Sequence, residues 1–157
     1  MVSETQRIAD QLRRTMDGDA WHGPAVREVL KGVSATQAAA RPVPGGHSIW
    51  ETVLHIAAWT NAVRRRLLGD PAKLPPEEDW PAVPAPTEQA WTAALEHLAQ
   101  AQQALLDEVA KVSPQQLDQP IIQGMSSIYV TLHGLAQHHA YHAGQIALLK
   151  KALSRAA

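Results

Sequence analysis

The chain has 157 residues, 45% of them apolar, and its charges nearly cancel at a formal net −1. That length suits a single domain, residues 1–157, with a core of ordinary size. The absence of a basic block argues against a nucleic-acid partner, because phosphate binding needs clustered Lys and Arg. Cys is absent, so no disulfide forms and no protein thiol serves as ligand or nucleophile, which fits a cytoplasmic protein. No stretch approaches the roughly 20 apolar residues of a membrane span. The polar opening Met1–Gln6 carries no expected targeting signal. Phe is also absent, so the five Trp must supply much of the bulky packing.

Taken in order, the chain reads as helices throughout. Ser3-x-x-Gln6 has capping-box spacing and opens a helix with Ile8, Leu12 and Met16 on one face. It should stop near Asp17-Gly18-Asp19. After Trp21-His22-Gly23-Pro24, a second stripe runs through Val26, Val29, Leu30 and Val33. Ser34-x-x-Gln37 opens a short helix, and Arg41 to His47 is a loop. Ser48-x-x-Glu51 is a full capping box and opens a long helix that Gly69-Asp70-Pro71 ends. Its basic run Arg64-Arg65-Arg66 reads as helix-end charge favoured by the dipole rather than as a binding patch.

Pro71, Pro75, Pro76, Pro81, Pro84 and Pro86 make the next segment a crossover that no helix is expected to enter. Trp80 is its one large apolar group, expected to cover a pocket or a partner chain. Thr87 caps the following helix, whose buried face is Trp91, Leu95, Leu98, Leu105 and Val109. Ser113-Pro114-Gln115-Gln116 marks a short turn of helix. The last helix runs from about Ser127 to Ser154. The fold class is therefore all-α: an antiparallel four-helix bundle with one long proline-rich crossover and short accessory helices.

The chemistry concentrates in that last helix. His138 and His142 are four residues apart, which stacks both imidazoles on one face, where two neutral rings can bind one metal ion. His139 and His142, at i and i+3, also lie on neighbouring faces, and periodicity does not choose between them. A third ligand must come from another helix. The best candidate is His55, on the half-polar face shared by Thr52, Trp59 and Ala62. Each histidine also has a plain reading as a hydrogen-bonded core or surface group, and His22, His47, His97 and His133 are assigned to it. Glu51 is explained by its capping box. Gln145, at i+3 from His142, and Tyr141 are candidates to support the site, with ordinary packing the favoured role of Tyr141. Gly144 inside a helix is expected to mark close helix packing.

The segments HSIWETVLHIAAW and HHAYHAGQIALLKKAL, with the WHGPAVREVL opening and the tryptophan-rich middle, resemble the DinB/YfiT-like superfamily of metal-dependent bacterial proteins. The resemblance covers essentially the whole chain. It implies a four-helix bundle with a three-histidine metal site and, residue by residue, the ligands His55, His138 and His142. It thus selects His138 over His139. It further implies a bound divalent ion, zinc or nickel first and manganese or iron next. It also implies a homodimer and a metal-assisted enzyme that is either hydrolase-like or transfers a low-molecular-weight thiol to a small electrophile. The lack of Cys is consistent, since the sulfur would arrive with the cosubstrate. Three neutral protein ligands with open positions resemble catalytic rather than structural zinc sites. The alternative is a non-catalytic metal-binding or stress-response module.

Overall fold

The computed structural model describes residues 1–155, and every regular element among them is a helix. Seven α-helices are α1 (Glu4–Asp17), α2 (Val26–Leu30), α3 (Ala35–Ala39), α4 (Ile49–Leu67), α5 (Pro76–Asp79), α6 (Glu88–Val109) and α7 (Ile128–Arg155). A 3-10 turn at Pro114–Gln116 separates α6 from α7. No strand occurs among the described residues, only an isolated bridge between Pro120 and Ser127. No described helix is long and apolar enough to cross a membrane.

The helix starts follow their serines. Ser3, Ser34 and Ser48 each accept from the backbone three residues on, and the Gln or Glu side chain there reaches back to the serine N–H. At α4 the reciprocal distances are 3.1 Å and 2.7 Å. Burial works to raise the Glu51 carboxyl, but hydrogen bonds from Ser48 and the Arg41 guanidinium outweigh it and hold the group below its ordinary value. α4 stops at Gly69, which takes φ +88°, a conformation side chains rarely adopt. The Asp70 N–H then reaches the Arg65 carbonyl and the Gly69 N–H the Arg66 carbonyl, closing the helix end in a Schellman arrangement.

The proline-rich crossover departs from expectation in one respect. Pro75 and Pro76 occupy the cap and first position of a four-residue helix, α5, where a missing N–H costs nothing. The turn ends on Asp79 and Trp80, and it packs against α4.

Among the four long helices, α4 packs on α6 and α7, and α1 packs on the same two. One cluster of buried apolar side chains joins Met16, Val26, Trp50, Val53, Ile56, Trp91, Leu98 and Ile146. A second joins Ile8, Leu12, Val63, Leu105, Val109, Leu132 and Leu135. Trp50, in the first turn of α4, meets Trp91, in the first turn of α6, with ring centroids 5.0 Å apart. The Trp91 indole N–H donates to the Val33 carbonyl at 2.8 Å. The Gln102 amide of α6 donates to the Leu12 carbonyl of α1 at 3.0 Å. Gly144 does not mark close packing: a methyl added there would meet nothing within 4 Å.

Candidate metal centre

α4 turns His55 towards α7 because its apolar positions commit its other faces to the core. His55 is 6% exposed and His142 4%. On α7, the i,i+4 spacing places His138 and His142 one turn apart, facing His55. The three Nε2 atoms converge. His138 Nε2 lies 3.0 Å from His55 Nε2 and 3.0 Å from His142 Nε2. All three ligand nitrogens lie within 4.8 Å of one another, so the group can hold a metal ion.

The outer nitrogens fix the protonation of the inner ones. His55 Nδ1 lies 2.8 Å from the Asp79 carbonyl oxygen and 3.0 Å from the Asp79 carboxylate. A carbonyl only accepts, so His55 donates from Nδ1 and its Nε2 carries a lone pair. His142 Nδ1 lies 2.6 Å from the Gln145 amide oxygen, which imposes the same tautomer. His138 Nδ1 is buried without a partner. At most one of the two facing lone pairs receives a proton from His138. A cation at the convergence point satisfies all three, and that donor set fits a divalent metal.

Burial is the main cause that depresses both α7 rings. It pushes His138 down to about 3, with further lowering from neighbouring His142, His55 and His139. It pushes His142 down to about 4 against the opposing hydrogen bond to Gln145. Both rings are therefore neutral near pH 7, which is the form that ligates.

His139 points elsewhere. It is fully buried, and its Nε2 lies 3.2 Å from the Thr60 hydroxyl, which itself donates to the Ile56 carbonyl. Burial lowers it to about 3. The i,i+3 alternative is thus a core contact of α4 with α7, and the i,i+4 pair faces His55.

Several functional neighbours escape a reading by spacing. Asp79 also accepts from the Trp59 indole at 2.7 Å, so one carboxylate orients both groups. Trp80 lies flat on His55, with centroids 3.9 Å apart and planes 8° apart. His47, assigned above to structure or surface, is stacked with Trp80 at 3.5 Å and 5°. It therefore belongs to the site's surroundings. Tyr141 is not a packing residue: it is 64% exposed and edges His142 at 5.1 Å. Arg66 does more than close α4: its guanidinium lies over Trp59 and donates to the Ala72 carbonyl at 3.0 Å and 2.8 Å. The other histidines stay apart from the cluster. His22 is exposed, His97 is near Asn61, and His133 lies tilted beside Tyr129.

Two cavities reach the cluster. One, of about 410 Å³, is lined by His47, Thr52, Trp80, Tyr141, His142 and Gln145 together with Val43, Leu148 and Leu149. The other, of about 440 Å³, is lined by His55, Trp59, Arg66, Asp79, Thr131, His138, Tyr141 and His142. A larger one, of about 660 Å³, beside α2 and α6 touches no histidine.

A family model described as the DinB superfamily matches residues 20–146 of the chain. The matched stretch contains His55, His138 and His142. No curated protein and no solved structure matches.

Proposed function

This chain belongs to the DinB superfamily, and we propose that it is a metal-dependent enzyme working at the His55–His138–His142 cluster. The reaction is the joining of a low-molecular-weight thiol to a small electrophile, with hydrolysis of a small electrophile as the nearest variant. The observation that carries this reading is the convergence of three Nε2 atoms while Asp79 and Gln145 hold two of the rings from behind. A divalent ion, zinc or nickel first and manganese or iron next, supplies Lewis-acid chemistry that favours the ionised form of a thiol or water near neutral pH.

The chain's own residues do the rest. Asp79 and Gln145 orient the His55 and His142 rings, as partners behind ligating histidines do. Trp80 lies across the His55 face and shields it from water. The cavities flanking His142 give small molecules room beside the cluster, which favours catalysis over a closed structural site. In thiol transfer to an aryl halide, the C–S bond forms as the carbon–halogen bond breaks. Halide leaves, and the thiol proton passes to solvent.

The helix contacts support a four-helix bundle of up-down-down-up order. Trp50 meeting Trp91 supports a parallel α4 and α6, a departure from the antiparallel order expected from the sequence, and the long crossover is what such a connection requires. His55 meeting His142 and Val63 clustering with Leu132 and Leu135 set α4 and α7 antiparallel.

Metal analysis of the purified chain tests the site, and a screen of thiol and electrophile pairs tests the activity. One equivalent of divalent metal is expected, lost on His142→Ala with helicity retained. Undiminished metal in that variant would remove the ligand assignment. A metal-loaded protein that turned over no electrophile with glutathione, cysteine, bacillithiol or mycothiol, and hydrolysed no ester or amide, would leave a binding module.

A further inference from the structure

The two cavities beside the cluster differ in chemistry. The 410 Å³ chamber has no Asp, Glu, Lys or Arg in its lining; Val43, Trp80, Leu148 and Leu149 give it apolar walls. The 440 Å³ chamber has one guanidinium, Arg66, and one carboxylate, Asp79. Asp79 is already engaged by His55 and Trp59. Arg66 has no carboxylate partner among the described residues. Its Nε and Nη2 donate to a neutral carbonyl, which leaves Nη1 without a bond among those residues. His142 and Tyr141 line both chambers, so a ligand in either reaches the same ring.

We propose that the site takes two ligands side by side, a carboxylate-bearing one anchored by Arg66 in the charged chamber and an apolar one in the uncharged chamber. This rests on the enzyme reading above and assigns its partners: the thiol carries the carboxylate, and the electrophile carries the apolar group. Arg suits the first task, because its planar fork matches a carboxylate and stays charged at any working pH. The cation–π contact with Trp59, 5.4 Å from Cζ to the ring centroid, helps to restrain the guanidinium. Leu148, which is 68% exposed, becomes covered when an aromatic ring enters the second chamber.

Equilibrium binding to the purified full chain, read by tryptophan fluorescence with and without chelator, tests this apart from turnover. The probes are N-acetyl-S-methylcysteine, its carboxamide and 1-chloro-2,4-dinitrobenzene. The wild type should bind the acid about tenfold more tightly than the amide, the size of one charge-assisted hydrogen bond. Arg66→Ala and Arg66→Gln should both bring that ratio to about one, with far-UV circular dichroism unchanged. A merely structural loss of the Ala72 tether would weaken acid and amide alike and leave the ratio in place. Leu148→Glu should weaken the dinitrobenzene about tenfold and spare the ratio. The acid and the dinitrobenzene should bind together. Competition between them, or an acid preference that survives both Arg66 variants, overturns the proposal. An Arg66-dependent ratio that persists in chelator-treated protein upholds the proposal independently of the metal, whose presence is read separately by metal analysis of the purified chain.

Discussion

Helix α4 has two seams, and although Val63 packs with Leu132 and Leu135 of α7, the second seam follows a different rule from the first. Against α6 it sets Trp50 beside Trp91, with Leu98 and Val53 around them, all buried and apolar. Against α7 it sets His55 and Thr60, which meet His138, His139 and His142. The first seam gains apolar burial at about 25 cal/mol per Å². The second buries imidazoles, and two ring nitrogens there, His138 Nδ1 and His139 Nδ1, have no partner, against one in the first seam, the Trp50 indole N–H. An unsatisfied buried polar group costs about 1–3 kcal/mol. A fold that wanted only stability would place leucines there. One helix thus divides the work, with α6 holding it in place while α7 presents donors to a ligand.

Acid should break the α7 seam first, and this is the largest effect expected. His138 and His139 are depressed to about 3 and His142 to about 4 in the folded chain, each mainly by burial. In the unfolded chain each titrates near 6.5. Between those limits the unfolded state binds more protons, so stability falls as pH drops below about 6.5 and is regained above it. Each such proton contributes a slope of about 1.4 kcal/mol per pH unit. Urea denaturation of metal-free protein from pH 7 to 4.5 measures it. His139→Leu should flatten the slope, and an unchanged slope would remove His139 from this account.

The α6 seam should respond to volume instead. Trp50→Ala is expected to cost about 3–5 kcal/mol, because the side chain is fully buried and its loss leaves a cavity. The loss should be the same at pH 7 and pH 5.5, unlike that of the α7 seam. A marked pH dependence of the difference would mean that the two seams are not independent.

A third test sharpens the ligand side of the comparison. Asp79→Asn keeps the size and the backbone carbonyl but removes the charge that orients His55 and Trp59. Metal affinity should fall about 10- to 100-fold, the usual effect of losing a partner behind a ligating histidine. Gln145→Ala should act similarly through His142. Competitive titration with a chromophoric chelator gives the affinities. Wild-type affinity in both variants would show that neither group positions a ligand.

The seam with α6 was legible in the sequence, and the seam with α7 only partly. Helical periodicity marks Trp91, Leu98, Leu105 and Val109 as a buried face because burial depends only on local spacing. The i,i+4 histidines are local too. The choice of His138 over His139 came from the family resemblance, since both spacings are helical neighbours. The geometry adds that His139 meets Thr60, a residue on another helix. Asp79 and His47 were hidden for the same reason, whereas Trp80 was expected over a pocket or a partner and Arg66 was read only as helix-end charge. Asp79 and His47 reach the site through contacts set by where the crossover lies, and residues 20 or more apart leave no periodic trace, while Arg66 lies on α4 two turns after Trp59. Pro75-Pro76 followed by three acids was the available sign of α5, read instead as a break because prolines crowd it.

The smallest effect tests the outer face of α7, the one that neither seam uses. Gly144 was expected to permit close packing, yet a methyl group there meets nothing within 4 Å. Its neighbours one turn away, Tyr141 and Leu148, are 64% and 68% exposed. Glycine in a helix interior costs about 0.5–1 kcal/mol relative to alanine through backbone entropy. Gly144→Ala should therefore stabilise the chain by about that amount, read as a shift in the urea midpoint at constant slope. The gain should be the same at every protein concentration, because nothing in the chain itself approaches the position. A loss that grows with concentration would mean that a second copy covers this face in solution and needs the glycine for its close approach. A loss independent of concentration would mean that α7 is already strained there and that its outer face is not free.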